Sequence, residues 1–98
     1  MDENATVSLL TLELHLPGCK SLKQKRSLLQ PMLVRLHREF NISAAETARM
    51  DQWDDAVVSC VVVSNDGRHN QQFLAQVVSY ISNRFPEIEV LADRIESR

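Results

Sequence analysis

Three polar residues in the first half of the chain, Glu13, His15 and Glu46, are of types that perform acid–base or metal chemistry. A histidine beside carboxylates titrates near neutral pH and can also bind a metal ion. No sequence spacing holds these three together, whereas the H-E-x-x-H pattern fixes two histidines on one helix face. We therefore expect them to have surface or structural roles, and we predict no catalytic residue and no bound metal.

The two cysteines, Cys19 and Cys60, offer a second chemistry. Cys19 precedes a predicted helix, and a helix N-terminus is one of the settings in which reactive thiols occur. Nucleophilic catalysis also needs a base beside the thiol, and no histidine is fixed near Cys19. The wide separation of the cysteines fits neither a zinc motif nor a disulfide framework. We expect two reduced thiols, one in a loop and one buried, in a protein that is not an enzyme and needs no cofactor.

A strongly basic segment spans residues 18–40, where six basic residues accompany a single acid, Glu39. The whole chain has a net charge of −2, so this segment is a basic element on an otherwise acidic body. Cations grouped on one helix can bind RNA phosphates, with an affinity that falls steeply with salt. The candidate nucleic-acid-binding residues are Lys20, Lys23, Lys25, Arg26, Arg35 and Arg38.

An alternative interpretation is that the basic segment is only a solvated helix face. Its cations would then pair with carboxylates elsewhere, including Glu87, Glu89 and Glu96. In either interpretation we expect the stems of Lys25 and Arg26 to pack beside the apolar stripe while their charges reach water. The acidity of the remaining chain opposes a general attraction to nucleic acid.

Hydrophobic periodicity indicates the elements that would position these residues. Leu10, Leu12, Leu14 and Leu16 alternate with other residues, which is typical of a strand with one buried face. Apolar residues recur at helical spacing after Ser21, whose side chain can cap the first turn. The predicted order is a strand over 6–16, a helix over 22–40, strands over 41–46 and 56–64, a helix ending before 86, and a strand over 88–95.

This order predicts an α+β fold of the ferredoxin-like split βαβ type (βαββαβ). It consists of a four-stranded antiparallel sheet with two helices on one face, because right-handed crossovers place both helices on the same side. The length predicts one domain over residues 1–98, with an ordered core over 5–96.

The opposite face of the predicted sheet is uncovered in a single chain. Strand 56–64 is apolar on both sides, so a homodimer or larger assembly through this face is expected, unless loops or short side chains cover it. Trp53 either anchors such a partner or folds back onto the core. The strand contains no aromatic residue, which disfavours base stacking of the RRM type. The candidate interface residues are Trp53, Val61 and Val63.

The composition also bears on location. No stretch approaches the length of apolar sequence that a membrane span needs, and the acidic, polar first residues do not resemble a secretory signal. With few cysteines and no membrane partner expected, we predict a cytoplasmic protein.

Four short segments, SLKQKR at 21–26, FNISAAE at 40–46, DQW at 51–53 and VSND at 63–66, occur in this order along the chain. Together they resemble the YlxP-like family of small uncharacterised bacterial proteins, over nearly the whole length. The resemblance implies a ferredoxin-like fold and a bacterial cytoplasmic protein. Members are often encoded beside translation initiation and ribosome-maturation factors, which implies a ribosome-associated role, and no established activity accompanies the family.

Two functional hypotheses follow from these observations. In the first, the chain is a non-enzymatic accessory factor that binds RNA or a ribosomal particle through its basic first helix. In the second, it is a homo-oligomeric protein–protein interaction module that uses the open sheet face and has no nucleic-acid role.

Overall fold

The computed structural model describes residues 4–98, which form four strands and two helices in the predicted order. The strands are β1 (Thr6–His15), β2 (Ser43–Ala48), β3 (Asp55–Ser64) and β4 (Glu89–Ser97), and the helices are α1 (Leu22–Glu39) and α2 (Gly67–Arg84). The largest difference from prediction is β2, which lies later in the chain than residues 41–46. Its position is set by pairing with β3, from Ser43 opposite Val61 to Ala48 opposite Val57, rather than by its own short sequence.

The strands form one antiparallel sheet in the order β2-β3-β1-β4. β1 pairs with β3 along its whole length, from Thr6 opposite Ser64 to His15 opposite Asp55. On its other side β1 pairs with β4, with one irregularity in the register near the end of β1. The fold is therefore the predicted ferredoxin-like α+β arrangement.

The core lies between the helices and one face of the sheet. Side chains alternate along β1 and β3, so every second residue is buried beneath the helices and its neighbours face the other side. Burial of apolar area stabilises the fold by about 25 cal/mol per Å². The buried apolar residues of the central strands and helices are Leu10, Leu12, Leu14, Ala56, Val58, Cys60, Val62, Leu29, Met32, Leu36, Leu74, Val77 and Ile81.

Both helices begin at a side-chain cap. Ser21 Oγ accepts a hydrogen bond from the amide of Gln24, and Asp66 Oδ1 accepts from the amides of Arg68 and His69. Such caps satisfy backbone donors that have no partner within the helix. Within residues 4–98, neither helix has the combination of length and apolar character that crossing a membrane requires.

A buried polar network joins the start of α2 to the sheet. The Asn70 amide donates to the carbonyl of Thr6 and to Ser8 Oγ at 3.2 and 3.0 Å, and its oxygen accepts from Ser64 Oγ at 2.6 Å. Ser8 Oγ also shares a hydrogen bond with Ser97 Oγ. Because Asn70 and Ser8 are fully buried, these bonds fix where the first turn of α2 lies on β1.

Candidate nucleic-acid interface

Charge is divided between the two layers of the fold. The helices α1 and α2 together carry seven basic residues and one acid, Glu39. The four strands carry six acids and one basic residue, Arg94. The helix layer is therefore the more basic part of the molecule, although the net charge of the chain is only −2.

Five of the six candidate cations have no carboxylate partner among residues 4–98. Lys20, Lys23, Arg26 and Arg38 are exposed and Arg35 is half-buried. Within residues 4–98, none of these five forms an ion pair.

The carboxylates that were expected to neutralise the helix lie elsewhere. Glu96 pairs with Arg94 and Arg98 on the sheet side, at 2.7 and 3.7 Å. Glu87 and Glu89 pair with no helix cation in the part of the chain that the structure describes. The expected ion pairs of helix cations with Glu87, Glu89 and Glu96 are therefore not formed in residues 4–98, and five of the six candidate cations face solvent or the helix seam without a carboxylate partner there.

Lys25 is the exception among the candidate residues. The sequence predicted that its charge reaches water, and this is wrong, because the residue is only 2% exposed. Its ammonium donates to the carbonyls of Arg49 and Gln52, each at 2.8 Å, and lies 2.6 Å from Glu46 Oε2. The ammonium therefore makes two hydrogen bonds and one ion pair inside the protein, and Lys25 is not part of the external basic surface.

The Lys25 contacts organise the loop between β2 and β3. Arg49 adopts a left-handed backbone conformation, with φ of 61°, and its carbonyl also accepts the amide of Gln52. The Arg49 guanidinium reaches Glu13 Oε1 on the open sheet face at 2.7 Å. α1 is thus tied to this loop, and the loop to β1, through charged groups.

Four of the five aromatic side chains lie at the seam between α1 and α2. Phe40 packs edge-on against Phe73 and Tyr80, with ring centroids 5.6 and 5.3 Å apart. Phe85 lies 6.3 Å from Tyr80. None of these four rings is fully buried, so the seam presents aromatic surface on the basic side of the molecule.

Two arginines flank Tyr80 in this aromatic seam. Arg35 Nε donates to the Tyr80 hydroxyl at 3.3 Å from the α1 side. The Arg84 guanidinium lies over the Tyr80 ring, 5.6 Å from its centroid. Phe73, Tyr80 and Arg84 were expected on a helix but were not predicted to form a site. Their spacing is the available signal, because positions i, i+7 and i+11 fall within about 40° on a helical wheel.

The open sheet face carries a cluster of apolar side chains at one end. Val7 lies opposite Val63, and Leu9 opposite Val61, on the two central strands. Val63 is 61% exposed, and Val61 is partly exposed, so both candidate interface valines lie on the uncovered face. These four side chains form a small patch at the start of β1.

The other end of the open face is polar. His15 Nδ1 lies 2.9 Å from Asp55 Oδ1, and Thr47 Oγ1 shares a 2.7 Å hydrogen bond with Ser59 Oγ. The hydrogen bond to Asp55 raises the pKa of His15 above its ordinary value, with further contributions from nearby carboxylates. This half of the face is therefore already occupied by internal polar contacts.

The sequence-level grouping of Glu13, His15 and Glu46 does not occur. Glu13 pairs with Arg49, His15 pairs with Asp55, and Glu46 faces the helices beside Lys25. Among residues 4–98 no group of three histidine, cysteine or carboxylate side chains could hold a metal ion. Each of the three residues makes a separate ion pair within the fold.

Trp53 lies in the loop between β2 and β3 and does not fold back onto the core. It is 55% exposed and lines a shallow cavity of about 360 Å³ together with Cys19, Asp51, Gln52 and Asp54. Cys19 is in the loop before α1, and Cys60 is buried in β3, where desolvation raises its pKa to about 11. A thiol with that pKa is protonated at neutral pH and is not a nucleophile.

These features define a small ferredoxin-like domain with an acidic sheet, a basic helix layer and no aromatic residue on its strands. The chain belongs to the family described as "Protein of unknown function (DUF503)", which matches residues 7–95. It is similar to "Uncharacterized protein YlxP" of Bacillus subtilis (strain 168), with 34% identity over 76 residues that cover 78% of this chain and 82% of that protein. The resemblance predicted from the four sequence segments is thus confirmed.

A solved structure supports the fold alone. "De novo designed protein Foldit4" superposes with a TM-score of 0.52 and 12% sequence identity, and the match covers 97% of each chain. At that level of identity the similarity reports an arrangement of strands and helices and carries no function.

Proposed function

We propose that this protein is a non-enzymatic accessory factor that binds RNA, alone or in a ribosomal particle, through the basic layer of α1 and α2. The observation that carries the proposal is a set of five cations, Lys20, Lys23, Arg26, Arg35 and Arg38, without carboxylate partners in residues 4–98. Phosphate groups are the external anions that RNA supplies at high density, and their contacts with such cations release counterions.

The distribution of charge also indicates which side of the molecule faces the RNA. The helices carry seven basic residues and one acid, whereas the strands carry six acids and one basic residue, so RNA meets more positive charge on the helix side of the molecule. The small net charge also keeps non-specific attraction weak at a distance, and binding then depends on close contact with the helix cations.

Co-sedimentation of the full chain with ribosomal particles from a cell extract tests the proposal. We expect comigration at low salt that is lost at high salt and in the variant Lys23→Glu/Arg26→Glu. The matched control is Arg94→Glu/Arg98→Glu, which changes the net charge equally but on the sheet side, where both residues are well exposed. Equal loss in both variants would contradict a role for the helix layer.

A second candidate function is homo-oligomerisation through the open sheet face. It is favoured by the apolar patch of Val7, Leu9, Val61 and Val63. The patch consists of four side chains, whereas a standard interface takes about 20–30 residues from each partner. Val63→Asp should dissociate such an assembly in analytical ultracentrifugation, and an unchanged stable oligomer would exclude this route.

A further inference from the structure

We infer that the RNA bound by the helix layer is single-stranded, with one base stacked at the Tyr80 ring and the adjacent phosphates held by Arg35 and Arg84. This inference rests on the proposed function, because it names the form of RNA that the same basic layer takes. It concerns the aromatic seam between α1 and α2, which the first helix alone does not form.

The first argument is the placement of the aromatic side chains. Single-strand binding proteins combine a basic track with aromatic rings on which successive bases stack. In a ferredoxin-like RRM these rings lie on the strands, and here the strands carry none. The half-buried rings of Phe40, Phe73, Tyr80 and Phe85 lie instead between the helices, on the side where the cations are.

The second argument is the pair of guanidinium groups at Tyr80. Arg35 and Arg84 come from different helices and meet at the same ring, the first through the hydroxyl and the second over the ring face. Neither forms an ion pair within residues 4–98. A planar guanidinium can bind phosphate with two parallel hydrogen bonds or stack on a base. The phosphate and the base of a nucleotide can therefore both find a partner beside Tyr80.

The third argument is the course of the aromatic seam along the two helices. Arg35 meets Tyr80 while Phe40, further along α1, also meets Phe73, which is earlier in α2. The helices therefore run in opposite directions, and the seam follows α2 from Phe73 past Tyr80 to Arg84, while Arg26 lies on the other side of α1, in a groove beside β2. A flexible single strand can follow such a line, whereas a duplex hides the faces of its bases inside the stack.

Fluorine NMR provides a direct test, because the chain contains one tyrosine and one tryptophan. Incorporated 3-fluorotyrosine reports on Tyr80 alone, and 5-fluorotryptophan reports on Trp53 in the loop between β2 and β3. The probe is an unstructured uridine oligonucleotide of about 12 nucleotides, within the site sizes of single-strand binders. We expect the oligonucleotide to shift the Tyr80 resonance and leave the Trp53 resonance unchanged, while an RNA duplex of equal length leaves both unchanged.

Affinity measurements on variants provide the second test. Tyr80→Leu should weaken binding of the oligonucleotide about tenfold without changing its salt dependence, because stacking is not ionic. Tyr80→Phe keeps the ring and should bind nearly as tightly as the unmodified protein. If Tyr80→Leu does not fold, the exposed Arg84→Gln replaces it and should weaken binding, whereas Arg94→Gln on the sheet should not.

The outcomes separate this inference from the proposed function. The oligonucleotide could bind in a manner that depends on Lys23 and Arg26, without shifting the Tyr80 resonance and with unchanged affinity for Tyr80→Leu. That result would show that the stacking site is wrong and that the basic layer alone binds RNA. If duplex binds more tightly than single strand, the ligand class is wrong. If neither RNA binds at low salt, and ribosomal particles do not comigrate, the proposed function fails and the inference fails with it.

Discussion

Lys25 Nζ lies 2.6 Å from Glu46 Oε2, and this contact joins the first helix to the edge strand β2 beneath the helix layer. The lysine is almost fully buried, and its ammonium donates hydrogen bonds to the carbonyls of Arg49 and Gln52. A charge removed from water is tolerated only when it is paired and hydrogen-bonded in this way. The most basic segment of the chain therefore contains one cation that serves the fold and five that face outward or toward the helix seam.

Replacement of Lys25 by methionine should destabilise the protein by about 3 kcal/mol, because the buried ion pair is broken and Glu46 is left beneath the helix without compensation. Urea unfolding followed by circular dichroism measures the change. Lys23→Met removes the same charge from an exposed position on the same helix and should change stability by about 0.5 kcal/mol or less.

The double variant Lys25→Met/Glu46→Leu gives a second result for this pair. With both charges removed, we expect part of the stability to return, since no uncompensated carboxylate remains. A double variant whose free energy of unfolding equals the sum of two independent losses would show that the ion pair is not the source of the effect.

Asn70→Leu should destabilise the fold by about 2 kcal/mol, because the carbonyl of Thr6 and the buried hydroxyl of Ser8 lose their donor. The side chain is of similar size, so the destabilisation comes from unsatisfied polar groups rather than from a cavity. Thermal unfolding of this variant beside Gln71→Leu, an exposed neighbour in the same turn, provides the comparison. Equal stability of the two variants would contradict a structural role for the network.

The contact between His15 and Asp55 should make stability depend on pH. The folded state raises the pKa of His15 through its hydrogen bond to Asp55, so folding favours the protonated imidazole. The stabilisation is fully present below the unfolded pKa of about 6.5 and disappears as pH rises through the folded value. We expect Asp55→Asn to lower the melting temperature more in mildly acidic buffer than in alkaline buffer.

Proton NMR titration of the His15 ring measures the cause directly. Asp55→Asn should lower the pKa of His15 more than Glu89→Gln does, because Asp55 provides a hydrogen bond as well as a charge, and Glu89 only a charge. A His15 pKa that does not respond to Asp55→Asn would disprove the assignment.

Much of the fold could be predicted from the sequence. The alternating leucines of β1 and the apolar run of β3 specify strands and their buried faces, because a one-residue slip would expose every core side chain. The position of β2 could not be predicted, since SAAETA has a weak pattern and its register comes from pairing with β3. The position of a strand can be predicted from local sequence only where its own pattern of apolar side chains specifies the buried face.

The candidate site was predicted only in part. Lys25 occupies the stripe of Leu22, Leu29 and Leu36 at heptad spacing, so a helical wheel places it on the buried side. Its partners Arg49 and Gln52 could not be inferred, because the loop that carries them is fixed by tertiary contacts. The meeting of Arg35 with Tyr80 likewise joins residues far apart in the chain and requires both helices to be in place.

The central claim is that RNA phosphates bind the cations of the helix layer, and the salt dependence of RNA affinity tests it most directly. Fluorescence anisotropy with a labelled single-stranded RNA gives the dissociation constant at several salt concentrations. The slope of log affinity against log salt becomes shallower by about 0.7 for each single-strand phosphate that the protein no longer neutralises. We predict a reduction of about 1.4 for Lys23→Gln/Arg26→Gln, which removes two phosphate-binding cations, and none for Arg94→Gln/Arg98→Gln. An equal slope in all three proteins would contradict the account.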